Sequence, residues 1–113
     1  MTPTLCSAER IRELNDACRA GGIGAGRWMI TRGVAALGAV FAALAVRAVR
    51  DFDRFDADDD PHGEHDFAAF DLAGERLFWK IDCYEPALSY GSADPTDPAA
   101  TARVLTVMLA HEY

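Results

Sequence analysis

Residues 76–84, RLFWKIDCY, decide the fold, because their side chains alternate strictly between two faces as in a β-strand. One face carries the apolar side chains Leu77, Trp79, Ile81 and Cys83. The other face carries charge at Lys80 and Asp82. Since one face is wholly apolar, we expect this strand to lie near the centre of a sheet.

A second strand is predicted directly before this stretch, at Phe67–Leu72. Ala73 and Gly74 join the two strands. A two-residue connection that ends in Gly suits a tight hairpin, because such turns require positive φ angles. The sequence therefore predicts an antiparallel hairpin over about residues 67–84.

Three helices are predicted around the hairpin. The first covers Ser7–Ala20, with Ser7 as its cap. Apolar residues at steps of three and four predict a second helix over about residues 35–55, and Gly38 favours a start at residue 39. The third covers residues 98–111, because Asp97 and the following Pro form a strong helix start.

A short strand over residues 27–32 completes the order α-β-α-β-β-α. The 113 residues suffice for one domain and are too few for two ordinary ones. We therefore expect a single α+β domain over residues 1–113. Its three-stranded antiparallel sheet would be covered on one face by the three helices.

The composition indicates a cytoplasmic protein. The three cysteines have no Cys-x-x-Cys spacing, so reduced thiols are expected rather than disulfides or a zinc ribbon, and Cys83 is interpreted as an inert core thiol. The longest weakly polar run, residues 34–46, is shorter than the roughly 20 residues that span a bilayer. It is interpreted as a buried helix, and no membrane contact is expected.

Negative charge is concentrated in one segment of the chain. Residues 51–71 hold nine acids and one base, a sum of −8, whereas the whole chain has a net charge of −7. Such a segment disfavours direct nucleic-acid binding and favours contact with a basic protein surface. The candidate partner-binding residues are Asp53, Asp56, Asp58, Asp59, Asp60, Glu64 and Asp66.

The acidic segment also resembles a calcium-binding loop in part. Three aspartates stand at positions one, three and five of that pattern, namely Asp56, Asp58 and Asp60. The pattern fails at Pro61 and Phe67, where Gly and Glu are required. A specific calcium site is therefore not expected.

The run Glu64-His65-Asp66 leaves an enzymatic alternative open. These three residues could serve acid–base chemistry in a small metal-dependent hydrolase, with His62, His65 and Asp66 as metal ligands. The other interpretation is a turn, in which His65 bonds the backbone and Asp66 caps the start of the strand. No His-Glu-x-x-His helix accompanies the run.

Other catalytic motifs are incomplete, and no cofactor is expected. The glycine-rich residues 21–26 follow a helix, whereas a dinucleotide-binding loop follows a strand, so they are interpreted as a connector. A carboxylate-x-Lys nuclease core would need an acid at Phe78, two residues before Lys80. Ser89 and Ser92 lack the Gly-x-Ser-x-Gly context of a nucleophile.

Several stretches of the chain are distinctive: Asn15-Asp16 with Arg19, residues 31–34 and 60–67, residues 76–82, and Val104-Leu105-Thr106 with Met108-Leu109. In these stretches the chain resembles a family of small bacterial and phage-borne proteins known only as a domain of unknown function. The resemblance implies a mobile-element setting, where small acidic proteins often inhibit host defence, anti-CRISPR proteins among them.

The leading hypothesis is therefore a non-enzymatic acidic protein that occupies a basic nucleic-acid-binding surface of a host complex, such as a CRISPR effector. The alternatives are the metal-dependent hydrolase and a structural or regulatory subunit whose acidic loop aids solubility. The sequence leaves the oligomeric state open.

Overall fold

The computed structural model describes residues 7–22 and 27–113. Its elements, in chain order, are helix α1 (Ser7–Ala20), strand β1 (Arg27–Ile30), helices α2 (Arg32–Ala36) and α3 (Ala39–Arg50), strands β2 (Phe67–Leu72), β3 (Glu75–Tyr84) and β4 (Ala102–Leu109), and a final 3₁₀ turn (Ala110–Glu112). The α+β class, the first helix, the first strand and the hairpin are confirmed. The predicted glycine connector lies mostly outside the described residues, at 23–26.

The strands form one four-stranded mixed sheet in the order β1-β4-β3-β2. Strand β3 pairs antiparallel with β2 and β4, while β1 runs parallel to β4. The predicted three-stranded antiparallel sheet is therefore wrong in its strand number and in the direction of β1. The position of β3 inside the sheet agrees with its fully apolar face.

The predicted third helix, residues 98–111, is wrong, because most of this segment forms strand β4. Asp97 does cap a turn, where its Oδ1 accepts the Ala99 N–H at 2.9 Å, but the turn does not continue as a helix. The segment is rich in β-branched residues, which favour a strand. Because residues on both faces of β4 are buried, its apolar run does not alternate and imitates helical spacing.

The second helix is shorter and more exposed than predicted. Gly38, with φ of 103°, separates α2 from α3, so α3 begins at residue 39 as favoured by the sequence. It ends at Arg50 rather than at Phe55. The expectation of a buried helix over residues 34–46 is also wrong, since Val40 is 76% exposed and only one side of α3 faces the sheet.

The core lies between the helices and the Trp79 face of the sheet. Trp79 and Leu77 from β3 are fully buried together with Val49 from α3. The rings of Phe52 and Phe55, which follow α3, meet the Trp79 ring edge-on at 5.9 and 6.0 Å. Across the described ranges, none of the helices has the length and apolar character that a bilayer crossing requires.

Candidate functional site

The acidic loop, defined as residues 51–66, connects α3 to β2 and divides its carboxylates into two sets. Three of the predicted partner-binding residues are exposed, namely Asp53, Asp56 and Asp58. The others are half-buried or buried: Asp59, Asp60, Glu64 and Asp66. No pattern in the sequence separates the outward acids from the inward ones.

Asp60 is the inward anchor of the loop. Its side chain is only 5% exposed, and its Oδ1 accepts the His65 backbone N–H at 3.1 Å. Its backbone N–H donates to the Asp56 carbonyl at 2.8 Å, and its own carbonyl accepts the Gly63 N–H at 3.2 Å. These bonds close residues 56–65 into a defined loop, so Asp60 is occupied in folding and is not available to a partner.

His65 is held by contacts on its edges and on one ring face. Its Nδ1 lies 2.8 Å from Oδ1 of Asp16 on α1, and its Nε2 lies 3.8 Å from Oδ2 of Asp60. Its ring stacks on Phe55, with centroids 3.6 Å apart and planes within 2°. The His65 backbone has a positive φ of 54°, which is uncommon for a residue other than Gly.

Glu64 and Asp66 lie on either side of His65 in the sequence, but the ring nitrogens of His65 face Asp16 and Asp60 instead. Partial burial, followed by neighbouring carboxylates, raises the pKa of Glu64. Burial is also the main cause that raises the pKa of Asp66, whose carbonyl accepts the Ile81 N–H at 2.8 Å and extends the hairpin pairing.

Arg19 of α1 fixes the start of the acidic loop. Its buried guanidinium donates from Nη1 to the carbonyl oxygens of Val49 (2.9 Å), Arg50 (3.2 Å) and Phe52 (2.7 Å). Carbonyls at this position would otherwise accept N–H groups of a further helical turn. The guanidinium therefore explains why α3 ends at Arg50, and its positive charge suits the negative end of the helix.

The same guanidinium also connects the acidic loop to the core. Its Nη2 donates to Oδ1 of Asp16 at 3.2 Å, the atom that also contacts His65. Its Cζ lies 5.3 Å from the ring centroids of both Phe55 and Trp79, within cation–π range. One carboxylate of α1 thus links the buried arginine to the loop histidine.

Asn15, which is 1% exposed, also holds the loop in place. We call the set Asn15, Asp16, Arg19, Asp60 and His65 the anchor of the acidic loop. Its Nδ2 donates to the Glu64 carbonyl at 2.9 Å, and its Oδ1 accepts from Nε of Arg103 on β4 at 2.7 Å. No role in the site was predicted from the sequence for Asn15, Asp16, Arg19 and Arg103. A usable signal was that Asn15 and Arg19 stand four residues apart on α1, beside its apolar residues Ile11, Leu14 and Cys18.

The proposed metal ligands His62, His65 and Asp66 are not assembled into one site. Within residues 7–22 and 27–113, no group of three or more His, Cys, Asp or Glu side chains could hold a metal ion. His62 is exposed, whereas His65 contacts two carboxylates that the sequence hypothesis did not include. The arrangement around His65 anchors the loop rather than forming a metal centre.

The two described cysteines, Cys18 and Cys83, are free and half-buried. Burial is the main cause that raises the pKa of both thiols, while the positive charge of Arg103 opposes it. A raised pKa keeps a thiol protonated and weakly nucleophilic. This agrees with the interpretation of Cys83 as an inert thiol.

Comparison with known proteins identifies the family of the chain. A family model described as a protein of unknown function (DUF3768) matches residues 30–112, which is most of the chain. No curated protein and no solved structure matches the chain significantly. Helix α1, which supplies Asn15, Asp16 and Arg19 to the anchor, precedes the matched range.

Proposed function

The chain belongs to the DUF3768 family of unknown function, and we propose that it is a non-enzymatic protein that binds a basic protein surface through its acidic loop. The observation that carries this proposal is the combination of exposed acids with a fixed loop. Asp53, Asp56 and Asp58 are exposed, and no salt bridge within the described residues joins them to a base. Their charge is therefore available to a partner.

The anchor holds the exposed acids in a fixed arrangement, which favours binding. Asp53, Asp56 and Asp58 lie between Phe52, whose carbonyl Arg19 holds, and the buried Asp60. A loop that is already ordered loses less conformational entropy when it binds. Concentrated negative charge also accelerates association with a positive surface.

A channel that normally holds nucleic acid is the kind of basic surface that suits such a loop. CRISPR effectors hold their guide–target duplex in a positively charged channel. Occupation of that channel by carboxylates would exclude the nucleic acid, which is the anti-CRISPR-like inhibition that the family resemblance suggests. A cytoplasmic site of action is part of this proposal, and the free thiols of Cys18 and Cys83 support it.

The test compares association rates of purified protein with immobilised effector complexes loaded with guide RNA. We expect replacement of Asp53, Asp56 and Asp58 by Asn to slow association by about tenfold or more at about 0.1 M salt. Near 1 M salt, where the Debye length is about 3 Å, this difference should disappear. Asn keeps the oxygen of Asp56 that accepts the Asp59 N–H at 2.9 Å, so the loop should retain its shape.

A matched control replaces Glu13 and Glu75 with Gln and Asp97 with Asn, which removes the same number of negative charges outside the acidic loop. This control should associate at a rate close to that of the unmodified protein. Equal slowing by both triple variants would show that only net charge matters. If the unmodified protein binds an effector complex and the variant with Asn at residues 53, 56 and 58 associates with it at the same rate, the proposal is refuted.

A further inference from the structure

Strand β2 lies at the edge of the sheet and pairs only with β3. Leu72 and Glu75 flank the two-residue turn, so they form a hydrogen-bonded pair, and such pairs recur at every second residue of an antiparallel ladder. The bond from the Ile81 N–H to the Asp66 carbonyl continues this alternation. The backbone groups of the residues between these pairs therefore point away from the sheet, at Phe67, Ala69 and Asp71.

This edge has little of the protection that natural edge strands carry. In the part of the chain that the structure describes, the backbone N–H and C=O groups of Phe67, Ala69 and Asp71 form no bonds to loops or turns. The strand FAAFDL contains one charge and neither Lys nor Pro, the residues that commonly prevent strand addition. The edge is thus a template for another extended chain.

A groove of about 460 Å³ runs beside this edge, between β2 and the end of α3. Its wall includes Ala69, Phe70 and Asp71 from β2. Because neighbouring residues of a strand point to opposite faces, a groove that touches all three follows the edge itself. Phe52 and Asp53, at the start of the acidic loop, form the other side.

The charges around the groove favour a basic occupant over a second copy of the chain. Asp71 is bonded to Arg76 at 3.3 Å, and Arg54 also borders the groove. These two arginines balance Asp53 and Asp71 in the groove wall, but residues 51–71 hold seven further acids and no further Lys or Arg. Two copies joined at β2 would bring two such segments together and repel each other, whereas a basic chain would be attracted.

We propose that an extended, basic segment of the partner adds to β2 as a fifth strand, with its basic side chains beside the acidic loop. Main-chain bonds to Phe67, Ala69 and Asp71 would hold the segment, and the neighbouring acids would select for Lys and Arg. This inference rests on the proposed function, because it identifies the part of a basic partner that the protein recognises.

The test uses two synthetic peptides of about ten residues with equal positive charge, one alternating Lys with Val and the other Lys with Pro. Fluorescence anisotropy should show that the Lys–Val peptide binds about tenfold more tightly or better, because Pro lacks the N–H that a strand must donate. Amide exchange measured by NMR should slow at Phe67, Ala69 and Asp71. The amides of Ala68 and Phe70, already bonded to β3, should change little.

A pair of variants tests the edge directly. Ala69→Pro removes an outward N–H without removing a bond to β3 and should weaken binding of the Lys–Val peptide about tenfold, whereas Ala69→Val should not. Equal binding of both peptides would overturn strand addition and leave the proposed function intact. Binding of neither peptide would also overturn this inference. If the protein is a dimer that Ala69→Pro converts to a monomer, the occupant of the edge is a second copy of the chain and the inference is overturned as well.

Discussion

Replacement of Arg19 by Met should be among the most destabilising single changes in this protein. The two N–H groups of Nη1 are shared among three main-chain carbonyls, and hydrogen bonds to charged groups contribute about 1.5–3 kcal/mol each. Against this, Met avoids the several kcal/mol needed to bury a guanidinium, whose Nε has no acceptor here. The free energy of unfolding should therefore fall by about 2–4 kcal/mol, out of a total of about 5–15 kcal/mol.

Urea denaturation followed by tryptophan fluorescence measures this change, because Trp79 contacts the Arg19 side chain. The matched control is Arg10→Met on the same helix, where an exposed pair with Glu13 at 3.7 Å should contribute less than about 1 kcal/mol. Arg19→Lys should lie between the two, since it keeps the charge but loses the planar fork. If Arg19→Met and Arg10→Met unfold at the same urea concentration, the guanidinium does not hold the loop.

Two further predictions concern the hairpin turn and the chain end. Ala73 and Gly74 both have positive φ, 51° and 82°. Because Asn adopts positive φ more readily than Ala, Ala73→Asn should raise the free energy of unfolding by about 0.5–1 kcal/mol, while the control Ala93→Asn should not. An unchanged urea midpoint for Ala73→Asn would contradict the turn geometry. Glu112 accepts hydrogen bonds from Thr31, Gly33 and Leu109, and the Thr31 hydroxyl is the main cause that lowers its pKa below 4.5. Its charged form therefore stabilises the fold above pH 4.5, and this contribution is lost as the pH falls through the lowered value. Glu112→Gln should unfold at lower urea than the unmodified protein at about pH 7, and this difference should narrow as the pH falls below 4.5. A difference that does not narrow in acid would contradict this origin.

The parts of the fold that the sequence predicts correctly are those decided by neighbouring residues. The hairpin is specified by strict alternation in β3 and by a turn that ends in Gly74. Strand β4 was missed because residues on both of its faces are buried, so its continuous apolar run matches a helix equally well. Its true partners, β1 and β3, are distant in sequence.

The sequence shows which residues of the loop are acidic, but not which of them point outward. The acidic segment is plain in the sequence, but Asp60 points inward because it bonds the main chain of His65, a contact that requires the loop to be folded already. The end of α3 was misplaced for a related reason. The side chain that ends it, Arg19, lies on another helix, so no local pattern in residues 35–55 could reveal it.

The two sets of acids in the loop should respond differently to mutation, and this separates binding from folding. Asp60 contacts His65 in the interior, so its removal leaves buried donors without partners and should unfold the loop first. Asp53 and Asp58 stand exposed in the most acidic segment of the chain, where like charges repel one another. Neutralisation of these outward acids should therefore leave the free energy of unfolding unchanged or raise it. Binding lost without loss of stability is the pattern expected when charge is retained for a partner rather than for the fold.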